Sequence, residues 1–440
     1  MFSDVDGTLV HYPASGAAAV PPPRDDDDES SSSSSSSSLL VRLPPSKTGS
    51  RGALSYRTLA LCHRLRNGND AMDDDDAHIT LARRVPLVLI SGMRTTTLFQ
   101  RLPYLPLADA YVSESGGRIF YPRSRTISTT TAAEAAAAQI RDKEDKAEED
   151  RIIVHPISYP NMPPGYDVRP FALVEDMDWR DRVMSQDDSA GPDGYDDILE
   201  TNTPGQLNDD VIDERRRRGK LWECARSLID KGYIIDTEGY ATSFRINRKQ
   251  QTNDDLIQNF DNFIADCCCS GGRGGDGITD NDNQRHRQRT IISNDLGCST
   301  NLGCVDVYPA MSGKRNCAEY LMHKFLSMRS NNVYDDCIDI VGGEEHERRS
   351  ETTDGSSQLP PVPVSLKTNA YFLCDDDNDI ELAMACIAAY LPSVTSESIR
   401  ALATTKNSSL IIMEDASKGI VDSFATEAAL EAIIEVVESS

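Results

Sequence analysis

Short apolar runs alternate with segments of helical periodicity at both ends of this chain. Residues 86–90 (PLVLI) form a short continuous apolar run, which is typical of a strand buried on both faces, and residues 409–413 (SLIIM) are predicted to form a late strand. Strands that alternate with helices pack as a parallel sheet covered on both sides, so an α/β fold with a Rossmann-like parallel sheet core is predicted. The predicted strands are 86–90, 110–112, 303–308, 370–373 and 409–413, and the predicted helices are 94–102, 315–325, 380–390 and 426–437.

Low-complexity segments interrupt this alternation. Pro, Asp and Ser tracts fill residues 21–38, a second Asp run covers 73–76, and an Ala/Glu/Lys/Asp stretch covers 132–150. Such segments bury too little apolar surface to offset the entropy that is lost on ordering. We therefore expect several disordered insertions, the first two at about 15–45 and 67–79. A helix at 221–231, strands at 232–235 and 240–246, and a helix at 256–264 are predicted between the later insertions.

The net charge of −26 limits the partners of the chain. Nucleic acids and anionic membranes are bound by clustered Lys and Arg, so an excess of acidic residues argues against both. No apolar run approaches the about 18 residues of a transmembrane helix, and no signal peptide is visible. The 11 cysteines include no CxxC pair, which indicates reduced thiols and a cytoplasmic location. Because only Met1–Ser3 precede Asp4, a truncated N-terminus that lacks a targeting peptide is the alternative.

An acidic turn lies at the start of the chain. Asp4 and Asp6 are two residues apart behind an apolar start, so both carboxylates point the same way from an extended backbone. Gly7 allows the chain to turn sharply directly afterwards. In open parallel sheets, ligands bind at the carboxyl ends of the strands. The pattern therefore indicates a site at one edge of the predicted sheet.

A second acidic turn lies near the end of the chain. Residues 375–379 (DDDND) hold four carboxylates between a predicted strand and a predicted helix, which indicates a site for a hard cation. An EF-hand loop is a poor interpretation. Its sixth position would be Ile380 rather than Gly, and its twelfth would be Cys386 rather than Glu.

The two acidic turns together resemble a known family. Residues 4–10 (DVDGTLV) resemble the first motif of the haloacid dehalogenase superfamily of phosphohydrolases, and residues 374–379 (CDDDND) are similar to its fourth motif. Cys374 replaces the usual Gly of that motif. Residues 378–383 (NDIELA) are most similar to the sucrose-phosphate phosphatase type. Residues 113–117 (SESGG) resemble the Glu-Asn-Gly loop that precedes the cap, with Ser in place of Asn.

The resemblance implies a core in two parts with an inserted cap. It covers roughly residues 1–120 and 290–440. The implied first part of the core is 1–120, the α+β cap with its low-complexity stretches is 121–295, and the second part of the core is 296–440. A cap between the second and third motifs is typical of the subclass that contains sucrose-phosphate phosphatase-like and Cof-like proteins.

The second and third motifs are weaker local signals. Ser91 and Gly92 end the predicted strand 86–90, and Lys314 begins the predicted helix that follows strand 303–308. A hydroxyl can donate to a phosphoryl oxygen, and an ammonium binds phosphate and offsets charge in the transition state. The resemblance implies that Ser91, Gly92 and Lys314 bind the phosphoryl group.

The resemblance also implies a mechanism. Asp4 attacks phosphorus and forms an aspartyl-phosphate, while Asp6 protonates the leaving alkoxide and then takes a proton from water. Mg²⁺ is held by the Asp4 carboxylate, the Asp6 carbonyl and Asp375, and Asp379 supports the metal shell. We therefore expect a Mg²⁺-dependent phosphatase, a phosphoric monoester hydrolase that acts on a small phosphorylated metabolite, with sugar phosphates as the first candidates.

Other functions are consistent with parts of the sequence. A phosphomutase of the phosphomannomutase type uses the same Asp4 but needs a second phosphate site in the cap, where no basic cluster is evident. A non-enzymatic acidic protein would bind partners through the acidic and Ser tracts, although all the chemical positions of the motifs are filled. Arg245 and Arg248 are candidates to bind a second group of the substrate, but a solvated strand edge is the favoured interpretation. The oligomeric state is not indicated.

Overall fold

The computed structural model describes residues 1–12, 40–45, 51–68, 85–124, 152–157, 169–185, 219–247, 250–251, 295–301, 304–330, 365–394, 396–405 and 409–439. Most of the predicted insertions, the predicted helix at 256–264 and Arg248 lie outside these residues.

The described residues form strands in three sheets, together with helices that cover them. The strands are β1 (Phe2–Ser3), β2 (Leu40–Arg42), β3 (Ala53–Ser55), β4 (Val88–Ile90), β5 (Ala110–Ser113), β6 (Arg118–Ser124), β7 (Ile152–Val154), β8 (Phe171–Glu175), β9 (Ile235–Asp236), β10 (Phe244–Asn247), β11 (Leu296–Asn301), β12 (Cys304–Pro309), β13 (Tyr371–Leu373), β14 (Ala388–Leu391) and β15 (Leu410–Ile412). The helices are α1 (Tyr56–Asn67), α2 (Thr95–Arg101), α3 (Met177–Ser185), α4 (Lys220–Asp230), α5 (Lys314–Ser330), α6 (Leu366–Asn369), α7 (Ile380–Ala385), α8 (Glu397–Ala403) and α9 (Ser423–Ser439).

The largest sheet has nine strands in the order β15-β14-β13-β1-β4-β5-β6-β8-β7. Its first six strands are parallel, and β6, β8 and β7 continue the sheet in antiparallel pairing. The strands β4, β5, β13 and β15 match predicted strands to within two residues. The predicted α/β fold with a parallel core is therefore confirmed, and the antiparallel strands extend it at one edge.

Strand β4 shows why this segment lies in the middle of the sheet. Leu89 belongs to an apolar cluster on one side of the sheet that includes Leu59 of α1. Its neighbour Ile90 belongs to the cluster on the other side, which includes Leu321 of α5. Successive residues of a strand point to opposite faces, so a strand that is buried on both sides needs a continuous apolar run.

Strand pairing crosses the predicted domain boundaries at residues 121 and 296. β7 and β8 lie within the predicted cap but pair with the large sheet, where β6 and β8 pair over five residues. β11 and β12 lie within the predicted second part of the core but belong to a four-stranded antiparallel sheet in the order β11-β12-β10-β9. The division into domains stays a prediction, and the four-stranded sheet is the unit that is separate from the large sheet.

Two local predictions were wrong. The predicted helix at 380–390 ends at Ala385, and β14 begins at Ala388 and pairs with both β13 and β15. The apolar run there suits a helix or a buried strand, and the pairing of the sheet decides. Residues 40–42, assigned to a disordered insertion, form β2 and pair with β3, because Val41 and Leu43 are buried in the core.

Among the helices formed by the described residues, none has the combination of length and apolar composition that crossing a bilayer requires.

The burial pattern predicts how two similar substitutions differ. Ile119 in β6 is fully buried, whereas Ile411 in the outermost strand β15 is 40% exposed. Ile119→Ala should lower the free energy of unfolding by about 2–5 kcal/mol, because it removes buried methyl groups and leaves a cavity. Ile411→Ala, the matched control, should change it by less than about 1 kcal/mol. Denaturant unfolding measures both, and equal losses would contradict the assigned strand order.

Candidate active site

The site begins where the central parallel strands end. In the register of the sheet, Ser3 of β1 lies opposite Leu373 of β13 and opposite Leu89 of β4. The backbone N–H of Asp4 donates to the carbonyl of Leu373 over 2.9 Å, so the pairing extends to Asp4. The residues that directly follow β1, β4 and β13 therefore meet at one edge of the sheet, as predicted.

Three carboxylates come together at this edge. Oxygens of Asp4, Asp375 and Asp379 all lie within 4.8 Å of one another, and all three residues are buried. Asp4 comes from the first acidic turn, and the other two come from the second. The structure thus brings together the three carboxylates that were predicted to bind a metal. The carboxylate of Asp6 lies outside this cluster.

The first acidic turn folds around the second. Gly7 has a φ of +82°, and a Cβ atom placed on it would lie 2.0 Å from Oδ2 of Asp375. Only glycine allows both this backbone conformation and this close approach. The hydroxyl of Thr8 donates to Oδ1 of Asp375 over 3.0 Å. Gly7 and Thr8 therefore fix Asp375 against the turn that carries Asp4.

Lys314 supplies the positive charge of the site. Its Nζ donates to Oδ1 of Asp4 over 3.0 Å and to Oδ1 of Asp379 over 2.6 Å. Lys314 is the first residue of α5, as predicted, but the preceding strand β12 lies in the four-stranded antiparallel sheet and not in the parallel sheet. The ammonium of Lys314 thus reaches the carboxyl edge of the large sheet from the first turn of α5.

The ionisation of these groups reflects burial and crowding. Burial raises the pKa of Asp4 to about 7, although nearby Lys314 acts in the opposite direction. Burial, then repulsion from Asp4 and Asp379, raises the pKa of Asp375 well above its usual range. Burial alone lowers the pKa of Lys314, but the two carboxylates outweigh it and raise that pKa above its usual value. One ammonium does not balance three crowded carboxylates.

The residues present fit a hard divalent cation such as Mg²⁺. The donors are carboxylate oxygens, which Mg²⁺ prefers. Within the part of the chain that the structure describes, Oδ2 of Asp379 is buried and accepts no hydrogen bond. A buried carboxylate oxygen without a donor is costly unless a cation or a water meets it. Asp4, Asp375 and Asp379 are therefore the residues that could hold the ion.

The other two acids of the second turn have local partners. The carboxylate of Asp376 accepts a hydrogen bond from the backbone N–H of Asp377 over 2.8 Å and caps the short turn that follows. The carboxylate of Asp377 accepts hydrogen bonds from the hydroxyls of Ser396 and Ser398. Of the four carboxylates that indicated a cation site, two enter the cluster and two shape the turn.

The predicted phosphate-binding residues follow β4. Ser91 is buried, and its hydroxyl accepts a hydrogen bond from the backbone N–H of Met93 over 3.1 Å, which leaves the hydroxyl proton for another acceptor. The carbonyl of Gly92 accepts a hydrogen bond from Arg245 over 3.3 Å. Arg245 also forms a bidentate pair with Asp306, so it is not a solvated strand-edge residue.

A buried glutamate links the four-stranded sheet to the large one. Glu114 follows β5 with a φ of +54°, and its carboxylate accepts hydrogen bonds from the backbone N–H groups of Ala241 and Thr242 over 2.9 and 2.6 Å. The hydroxyl of Thr242 donates to the same carboxylate over 2.8 Å. The loop that precedes β10 is therefore held against the end of β5, beside the carboxyl edge.

Asp6 stands apart from the three clustered carboxylates. Its carboxylate accepts hydrogen bonds from the hydroxyl of Tyr12 and from the guanidinium of Arg101. Sequence patterns did not indicate these two partners. Arg101 ends α2, 95 residues away from Asp6, and its spacing alone gives no signal of the contact.

No protein-family model matches the sequence, and no curated protein is significantly similar to it. Solved structures resemble the chain at low identity. The sucrose-phosphatase of Synechocystis, in complex with sucrose and phosphate, is 10% identical, with 81% of this chain and 86% of that chain covered and a TM-score of 0.38. A haloacid dehalogenase-like hydrolase from Bacillus subtilis is 10% identical, with 98% and 90% covered and a TM-score of 0.36.

A trehalose-6-phosphate phosphatase from Aspergillus fumigatus is 12% identical, with 100% of this chain and 92% of that chain covered and a TM-score of 0.27. Proteins of the haloacid dehalogenase superfamily, the family that the motifs resemble, are thus among the solved structures to which this chain is similar.

Replacing one of the crowded carboxylates should have opposite effects on the free energy of unfolding without Mg²⁺ and with it. A carboxyl whose pKa is raised by folding destabilises the folded state at neutral pH, where it is ionised in the unfolded chain. Without Mg²⁺, Asp375→Asn should therefore raise the free energy of unfolding, on the order of 1 kcal/mol. Mg²⁺ at about 100 times its Kd should stabilise the unaltered chain by about 3 kcal/mol and the variant far less.

Asp181→Asn is the control, because Asp181 is an exposed acid on α3. Thermal unfolding with and without Mg²⁺ measures all three proteins. If Mg²⁺ stabilises Asp375→Asn as much as it stabilises the unaltered chain, the ion binds elsewhere.

Proposed function

We propose that this chain is a Mg²⁺-dependent phosphatase of the haloacid dehalogenase superfamily that hydrolyses a small phosphorylated metabolite. The observation that carries the proposal is the buried cluster of Asp4, Asp375 and Asp379 with Lys314 bonded to two of its members. Phosphate monoesters resist attack because both the ester and an attacking carboxylate are anionic. A site that removes this repulsion is suited to phosphoryl transfer.

Asp4 is the proposed nucleophile. It lies directly after the central strand β1, and the hydrogen bond from its N–H to Leu373 fixes its backbone. Lys314 donates to one of its carboxylate oxygens, which leaves the other oxygen to attack phosphorus. The product of that attack is an aspartyl-phosphate, which water then hydrolyses.

The phosphoryl group needs donors on its outer oxygens as negative charge shifts during transfer. Lys314 is the proposed cationic donor, since its pKa is raised and it stays protonated. The hydroxyl of Ser91 and the backbone at Gly92 are the proposed neutral donors at the end of β4. Each comes from an element that is fixed in the core, so the donors are arranged before the substrate arrives.

Asp6 is the proposed proton donor to the leaving oxygen, and later the base that takes a proton from water. Asp4, Asp375 and Asp379, together with the carbonyl of Asp6, are proposed to hold Mg²⁺. A bound Mg²⁺ supplies charge neutralisation and orientation of the phosphoryl group. The same charge explains how a chain with a net charge of −26 binds an anionic substrate.

The substrate is proposed to be a sugar phosphate. Support comes from residues 378–383, which resemble the sucrose-phosphate phosphatase type. The cysteine pattern supports a cytoplasmic location.

The proposal is tested by phosphate release from a panel with and without Mg²⁺. The panel contains glucose, fructose, mannose, sucrose and trehalose phosphates and glycerol phosphate. We expect Mg²⁺-dependent release from at least one member and a loss of at least about a thousandfold in kcat for Asp4→Asn. Asn is similar in size to Asp but lacks the negative charge that makes the carboxylate a nucleophile.

Asp181→Asn again serves as the control and should retain full activity. Undiminished release by Asp4→Asn would contradict the assignment of the nucleophile, and a panel without any turnover would favour a binding protein. Activity that depends on an added sugar bisphosphate would favour a phosphomutase.

A further inference from the structure

The carboxylate of Asp6 is held by two side chains that no sequence motif marks. The hydroxyl of Tyr12 donates to Oδ1 of Asp6 over 2.5 Å, and Nη1 of Arg101 donates to the same oxygen over 2.5 Å. Nη2 of Arg101 also donates to the hydroxyl of Tyr12 over 2.7 Å. The three side chains therefore form a closed triangle of hydrogen bonds around one carboxylate oxygen.

Both partners of Asp6 are anchored by the fold. Arg101 ends α2 and is 3% exposed, and its guanidinium lies 5.9 Å from the centre of the Tyr12 ring. Tyr12 follows His11, whose backbone N–H and carbonyl both bond to Ala53 of β3. Side chains that are fixed in this way keep the group they hold in one geometry.

The triangle engages Oδ1 of Asp6 and not its second oxygen, Oδ2. Both of the hydrogen bonds to this carboxylate end on Oδ1, and among the described residues Oδ2 accepts none. The side chain of Asp6 is 21% exposed, whereas that of Asp4 is 7% exposed. Oδ2 is therefore the oxygen that can meet a ligand.

Neither Tyr12 nor Arg101 is suited to act on a ligand directly. The guanidinium of Arg101 is buried and donates to two oxygens of the triangle, so it is not presented to a phosphoryl group. The hydroxyl of Tyr12 donates to Asp6 and accepts from Arg101, so its hydrogen bonds lie within the triangle. Their contribution is therefore made through Asp6.

We propose that Tyr12 and Arg101 are positioning residues that hold Oδ1 of Asp6 and thereby direct Oδ2 at the leaving oxygen of the substrate. This inference rests on the proposed phosphatase function. As an oxygen of Asp4 bonds to phosphorus, the bond from phosphorus to the leaving oxygen breaks, and the proton on Oδ2 moves to that oxygen. Water then returns a proton to Oδ2 as its oxygen bonds to phosphorus, and the bond to Asp4 breaks, which releases phosphate.

The test compares two esters in Tyr12→Phe and Arg101→Lys, each made in the full chain and assayed with Mg²⁺. The sugar phosphate with the highest kcat/KM in the panel loses an alkoxide, which needs a proton, whereas 4-nitrophenyl phosphate loses a stabilised phenolate, which does not. The value of kcat/KM reports the steps up to loss of the leaving group. We expect the ratio of sugar to aryl kcat/KM to fall at least about tenfold in both variants.

A variant that folds poorly lowers both kcat/KM values equally and leaves their ratio unchanged, so the ratio separates positioning from stability. Tyr111→Phe is the matched control. Tyr111 is buried, and its hydroxyl, like that of Tyr12, is hydrogen-bonded, but to backbone groups of Pro106 and Ala108. Its removal should leave the ratio at the unaltered value.

A ratio that stays unchanged in either Tyr12→Phe or Arg101→Lys would overturn the positioning role. That result is distinguishable from failure of the proposed function. If the unaltered chain releases no phosphate from either ester, or if Asp4→Asn releases it undiminished, the phosphatase proposal fails and this inference fails with it.

Discussion

Three carboxylates and one ammonium share a buried space at the carboxyl edge of the parallel sheet, and the rest of the site depends on this crowding. Burial and, after it, repulsion between neighbouring carboxylates raise the pKa values of Asp4 and Asp375, so the ionised cluster is costly. The pairing of β1 with β13 imposes the closeness, because it brings the first and the last acidic turns of the chain side by side. Lys314 supplies one positive charge, and the proposed divalent cation would offset the remaining negative charge.

Much of the large sheet and of the cluster could be predicted from sequence because the signals are local. A continuous apolar run followed by a polar turn identifies β4 and β13, and the carboxyl ends of parallel strands meet in any such sheet. The positions of Asp4, Asp375 and Asp379 follow from that geometry. The sequence did not distinguish the roles within residues 375–379, since whether an acid faces the cluster or caps a turn depends on a backbone that bends over three residues.

The remaining features depend on contacts between distant segments. Residues 388–391 form β14 instead of the predicted helix because they pair with β13 and β15. β12 belongs to the smaller sheet because it pairs with β10 and β11. The triangle of Asp6, Tyr12 and Arg101 joins a turn and a helix end that are far apart in sequence. Neither composition nor periodicity contains this information, and only the packed structure provides it.

The cluster, the triangle and the link through Glu114 together organise one edge of the sheet, and the proposed function depends on a single cation bound among Asp4, Asp375 and Asp379. Crystals grown with Mn²⁺ in place of Mg²⁺ test it most directly, through the anomalous difference map. We expect one strong peak within bonding distance of carboxylate oxygens of Asp4 and Asp375. A map without a peak there, or with its strongest peak at a distant acidic surface, would contradict it.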